Sequence, residues 1–179
     1  MTPPSLRPGG PMRALTAAAA VTVLGTVVLG ADPAHAAALT QCQGSETVTY
    51  SPGVTFTPQS IEITVSGRFS SCVDVSGRVT SGSYGERFTI FVGCNALLDG
   101  FEGRRVIVWN TGDSSTVEGT GSSTAVAGQV ITTFTGTVVQ GRFQGRSAVQ
   151  TVTLVQPGFL KCLTTGFTGA TGPTTLTIA

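Results

Sequence analysis

"SIEITVSGRF", residues 60–69, alternates with period two. Ile61, Ile63, Val65 and Phe69 share one face, and Glu62, Thr64, Ser66 and Arg68 the other. Successive strand side chains point to opposite faces, so this is a strand with one face buried. The same pattern spreads outward. "ERFTIFVGC" (86–94) puts Phe88, Ile90, Val92 and Cys94 on one side. "TVTYSPGVTF" (47–56) is a shorter strand broken by Pro52 and Gly53. "RRVIVWN" (104–110) is apolar on both faces, which predicts a central strand. "SSTVEGTGSS" (114–123) is weak and polar and predicts an edge.

Two long strands follow, "QVITTFTGTVV" (129–139) and "RFQGRSAVQTVTLV" (142–155). The second loses its alternation near Ala148, which predicts a bulge there. "PTTLTIA" (173–179) is the last strand. Turn chemistry separates the runs: "NTGD" (110–113) marks a hairpin, Asp99-Gly100 and Gly141 mark bends, and "QPG" (156–158) marks an exit. Eight short strands without helical periods between them predict an all-β fold. The expected architecture is an antiparallel β-sandwich, immunoglobulin-like, with a small β-barrel as the alternative. Trp109 follows Cys94 instead of lying between two paired cysteines, so the likeness to immunoglobulin domains is one of architecture alone.

Residues 1–36 read as a cleaved secretory signal. Arg7 and Arg13 precede the uncharged "ALTAAAAVTVLGTVVLG" (14–30), and Ala34 and Ala36 occupy the small positions of an A-x-A site. Cleavage removes His35, the only histidine of the chain. Residues 37–179 then form a single all-β domain of 143 residues with 8 basic and 8 acidic side chains. A net charge near zero gives no footprint for nucleic acid or an anionic membrane. No membrane insertion is expected after cleavage. Glycine supplies 20 of those residues, about twice the usual ~7%.

Cys42, Cys72, Cys94 and Cys162 form an even set in an exported chain, which predicts two disulfides. Four cysteines allow three pairings. Cys72–Cys94 with Cys42–Cys162 is the favoured one, stapling neighbouring strands and tying the N-terminus to the segment before the last strand.

The loss of His35 removes Ser-His-Asp and Cys-His catalysis and His-ligated metal centres. No phosphate-binding loop, dinucleotide fingerprint or EF-hand is present, so no cofactor or metal is expected. Paired carboxylates for glycoside hydrolysis would have to come from Asp99 with Glu102 or Asp113 with Glu118. "LKCLTTG" (160–166) could serve as a Cys-anchored protease-inhibitor loop with Lys161 as the inserted residue. Each of the pairs Arg68-Phe69, Arg87-Phe88 and Arg142-Phe143 is expected to send Phe inward and Arg outward. Trp109, Asn110, Thr111 and Asp113 form the best candidate recognition loop, because loops on rigid sheets commonly carry binding. Trp109 itself is expected to pack in the core.

The Ala-rich signal, "TVTYSPG" after the first Cys, "VWNTGDSSTVEG", and "FLKCLTTG" before a Thr-rich strand resemble short secreted proteins of actinobacteria. The resemblance implies export and an all-β fold and transfers no catalytic residue. The resulting expectation is a secreted, disulfide-stabilised, non-enzymatic binding module. Its partner would be an extracellular protein or glycan.

Overall fold

The structure is a computed structural model and describes residues 39–156 and 158–179. The signal segment and its cleavage site lie outside the described residues. Eight strands follow one another: β1 (Thr40–Val54), β2 (Gln59–Asp74), β3 (Gly82–Val92), β4 (Phe101–Trp109), β5 (Ser114–Val126), β6 (Gln129–Gly141), β7 (Ser147–Val155) and β8 (Phe167–Ile178). Two short helical pieces interrupt them, a 3-10 turn at Cys94–Ala96 and α1 (Phe159–Leu163).

Every strand pairs antiparallel with the next, and β8 returns to β1, with Cys42 opposite Leu176 and Thr40 opposite Ile178. The all-β class and the eight antiparallel strands stand as expected. They close into a barrel instead of the favoured two-sheet sandwich. Period-two patterning is the same in both architectures. What separates them is the β1–β8 pairing, which joins distant residues such as Thr40 with Ile178 and Val54 with Phe167.

The 60–69 stretch lies in β2 as anticipated, with Ile61, Ile63, Val65 and Phe69 buried. Other expectations need correction. β5 is no edge: it spans 13 residues and pairs with both β4 and β6. β4 pairs with β5 along most of its length but with β3 only at Gly82↔Trp109 and Ser83↔Val108. Its outward Val106 and Val108 are exposed, so β4 is not buried on both faces. Residues 142–146 form a turn, and β7 starts at Ser147 and pairs regularly through Ala148. The broken alternation therefore marks a turn, not a bulge.

Below the Ser83↔Val108 pair, β3 and β4 separate. Phe88 and Ile90 have the inward parity of Tyr84 and Val92, yet they are 43% and 40% exposed. The expected inward Phe thus holds fully for Phe69 alone. Phe143 sits in the 142–146 turn with φ 65°, edge-on to Trp109.

The disulfides are Cys42–Cys72 and Cys94–Cys162, not the pairing favoured from the sequence. Strand register explains the first. Cys42 and Cys72 face each other across the β1–β2 hairpin, with Cα atoms 4.0 Å apart. The second joins the 3-10 turn after β3 to α1 before β8.

Some of the glycines make room for rings, others for the backbone of a neighbouring strand, as Gly44 and Gly119 do. Gly67 lies opposite Tyr84, and Gly121 opposite Phe101. In each case the ring of the partner occupies the space a Cβ would need. A ring over a cross-strand glycine restores the contact that glycine lacks.

Candidate functional site: a cavity at one end of the barrel

The antiparallel order gives the barrel two ends. One carries the β2–β3, β4–β5 and β6–β7 turns, the other the β1–β2, β3–β4, β5–β6 and β7–β8 connections. The first end is filled. Phe69, Ile107, Val138, Leu176 and Ile178 are fully buried there. Each large apolar side chain taken from water contributes about 1.5–3 kcal/mol. Trp109, 2% exposed, donates from Nε1 to Ser115 Oγ at 2.9 Å. Ser115 Oγ in turn donates to the Arg142 carbonyl.

The candidate recognition loop belongs to this filled end. Trp109 is a core residue. Asn110 Oδ1 accepts from the backbone N–H of Thr80 (2.8 Å) and Ser81 (3.1 Å), and its amide donates to the Arg78 carbonyl at 3.1 Å. Thr111 donates to Asp113, and Arg142 Nε donates to Asp113 Oδ2 at 2.7 Å. The Thr111 hydrogen bond, then the Arg142 pair, hold the Asp113 carboxyl below the usual range against a small desolvation penalty. The four residues stay together, but their polar groups are already engaged in fastening one loop to the next. Trp109 and Asn110 also border an open groove with Arg68, Ser81 and Ser83 on the outer wall.

A polar layer crosses the middle of the barrel. Arg105 is its centre. Its guanidinium reaches both carboxylate oxygens of Glu86, Gln150 Oε1 at 2.7 Å and Glu46 Oε2 at 3.4 Å. It also lies 4.3 Å from the centroid of the Tyr84 ring. Tyr84 donates to Glu46 Oε2 at 2.6 Å, and Gln150 Nε2 donates to Tyr84 Oη and Thr174 Oγ1. Among the described residues, no buried side-chain nitrogen or oxygen lacks a partner.

Two carboxylates share one guanidinium here. Burial pushes the Glu46 carboxyl upward, and attraction to Arg105 and the Tyr84 hydrogen bond offset that only in part. Burial also disfavours the Arg105 charge, but the bond and ion pair to Glu86 more than restore it. Tyr84 is raised by burial and by Glu46, so its hydroxyl remains a donor.

Beyond this layer the barrel is filled only in part, with Val54 and Ile61 fully buried beside open space. A cavity of about 280 Å³ opens at the second end. That is close to the lower limit of ~300 Å³ for small-molecule sites. Its inner wall includes Tyr50 from β1, Ser123 from β5, Thr132 from β6 and Leu154 from β7. Phe56, Leu97 and the Cys94–Cys162 disulfide line its mouth. Tyr50 and Phe167 pack with ring centroids 5.4 Å apart. No Asp, Glu, Lys, Arg or His is among the lining residues. Burial, with a smaller contribution from Glu46, pushes the Tyr50 hydroxyl up to about 12. It is therefore a neutral donor beside aromatic and aliphatic walls.

The other sequence candidates are not assembled. Asp99 and Glu102 are exposed, Glu118 pairs outward with Arg104 at 3.5 Å, and Asp113 pairs with Arg142. Lys161 is exposed in α1, and its carbonyl accepts from the N–H of Thr164 and Gly166. That helical, bonded backbone differs from the extended strand an inserted inhibitor loop presents. Among the described residues no group of three or more His, Cys, Asp or Glu is placed to hold a metal. Glu46, Glu86 and Arg105 went unselected by sequence reasoning. The available signal was a charge on the apolar face of a strand: Glu46 with Val48, Glu86 with Phe88, and Arg105 with Ile107.

No protein-family model matches the chain, and no curated protein or solved structure matches it.

Proposed function

We propose that this is an exported, non-enzymatic binding protein that holds one small, uncharged, largely apolar ligand in the open end of its barrel. The observation that carries the reading is an open-mouthed cavity whose described lining has aromatic and aliphatic walls, three hydroxyl-bearing residues (Tyr50, Ser123, Thr132) and no carboxylate or base. Eight-stranded antiparallel barrels have an interior just wide enough for side chains or for one small ligand. Here side chains fill one end, and the other keeps room for a guest beside the buried Val54 and Ile61. Mostly apolar walls with a few polar groups are the usual composition of such sites. Two disulfides fit an oxidising compartment. Export rests on the signal-like residues 1–36 and on these bridges.

The test is titration with N-phenyl-1-naphthylamine, a neutral apolar fluorophore. Saturable one-to-one binding by the folded protein is expected, reduced at least tenfold in Leu154→Trp, which fills the cavity from β7. Absence of saturable binding, or equal binding by a correctly folded Leu154→Trp, would overturn the reading.

A further inference from the structure

Large exposed apolar side chains gather at the cavity end. Phe91 lies near the end of β3, Leu98 in the connection to β4, Val126 at the β5–β6 turn and Val155 at the end of β7, while Leu160 and Leu163 stand on α1. Phe91 is 76% exposed and Leu160 73%. The filled end differs. Its turns carry Ser76, Arg78, Asn110, Thr111, Gln144 and Arg146, and among large apolar side chains at its rim Val73 and Val75 are exposed. Exposed large apolar side chains gathered at one end of a molecule mark an interaction site.

We infer that the cavity end docks on an uncharged lipid surface, with these side chains inserted as a crown around the cavity mouth. Three features select that occupant. The crown comes from three separate connections, β3–β4, β5–β6 and β7–β8, beside an opening, whereas a groove for a helix or an edge for a strand would be linear. Its charge is sparse: Lys161 on α1, Asp99 in the β3–β4 connection and Glu102 at the start of β4, so no basic cluster attracts anionic lipid. The apolar crown is continuous with an uncharged cavity, since Leu98 belongs to both. A ligand leaving a lipid phase would thus meet apolar surface all the way inward. Choosing lipid as the occupant rests on the cavity reading above. The contact is peripheral, with no strand or helix entering the bilayer. The Cys94–Cys162 bridge joins two of the crown segments, the β3–β4 connection and α1, and would hold them in one arrangement.

The experiment is flotation of the purified protein with phosphatidylcholine vesicles, alongside naphthylamine titration without vesicles. Co-flotation is expected, changing less than twofold between 50 and 500 mM NaCl. The double variant Leu160→Asp/Leu163→Asp should lower partition at least tenfold and leave probe binding within twofold. Any of three results would overturn the inference: no flotation by protein that binds the probe; flotation only with anionic vesicles and only at low salt; or a dimer in solution that the double variant dissociates, which would make the crown a contact between two copies. Flotation without probe binding would uphold the docking face and remove the cavity reading.

Discussion

The two ends of this barrel are built from the same eight strands and do opposite things. At one end, large side chains meet, Trp109 and Ser115 satisfy each other, and Asn110 fastens the β4–β5 turn to the β2–β3 loop. Toward the other, β3 and β4 separate after the Ser83↔Val108 pair, and the Cys94–Cys162 bridge ties the β3–β4 connection to α1. The layer of Arg105, Glu46, Glu86, Tyr84 and Gln150 divides them. Stability concentrates where side chains interdigitate, and a binding site needs the reverse, an unfilled volume on a rigid frame.

The comparison breaks most sharply in the dividing layer. Arg105→Met leaves the buried Glu46 and the half-buried Glu86 without their cation and should cost about 3–5 kcal/mol in urea denaturation. Glu46→Gln leaves Arg105 and Glu86 as a balanced pair and should cost under about 1 kcal/mol at pH 7. Equal costs would mean that the layer is not an acid-rich network.

The disulfides come next. Loop lengths of 30 and 68 residues predict losses of about 3.5 and 4.5 kcal/mol when Cys42–Cys72 or Cys94–Cys162 is removed as a Ser pair. Stability thus falls in both, but naphthylamine binding should weaken only in the Cys94/Cys162 variant, because that bridge lines the cavity. Core truncation should separate the ends further. Phe69→Ala should cost about 3–5 kcal/mol and Leu154→Ala about 1–2, since Leu154 already borders empty space.

The smallest effect is in pH. Burial raises Glu46 in the folded state, so the folded protein holds that proton more tightly than the unfolded chain does. The stability this contributes is complete below the unfolded carboxylate value of ~4.3 and is lost as pH rises through the folded value. Glu46→Gln removes that loss. Its urea midpoint should therefore decline less than the parent's between pH 4 and pH 7.

Much of the strand layout was legible because one-sided burial imposes period two, as at Ile61, Ile63 and Val65. β5 reads as an edge for a physical reason: its inward Gly121 is small because β4 supplies the ring of Phe101 over it, and Gly119 is small because the β6 backbone at Thr135 and Gly136 lies against it. Local hydrophobicity cannot register a contact whose bulk is contributed by a partner. Barrel closure and disulfide pairing depend on register between strands, which alternation within a strand does not encode. The cavity was hidden for a similar reason. Thr132, Ser123 and Ala170 each look like ordinary strand residues, and they enclose a space only together. The conspicuous polar residues Asn110 and Asp113 stand at a turn, whereas the cavity lies at the opposite end.

The most direct test is chemical-shift mapping of amide resonances during titration with N-phenyl-1-naphthylamine. Shifts are predicted at Tyr50, Thr132, Leu154 and Phe167, with Asn110, Thr111 and Asp113 unmoved. Shifts centred on the Asn110–Asp113 turn, with the cavity residues silent, would contradict the assignment of function to the open end.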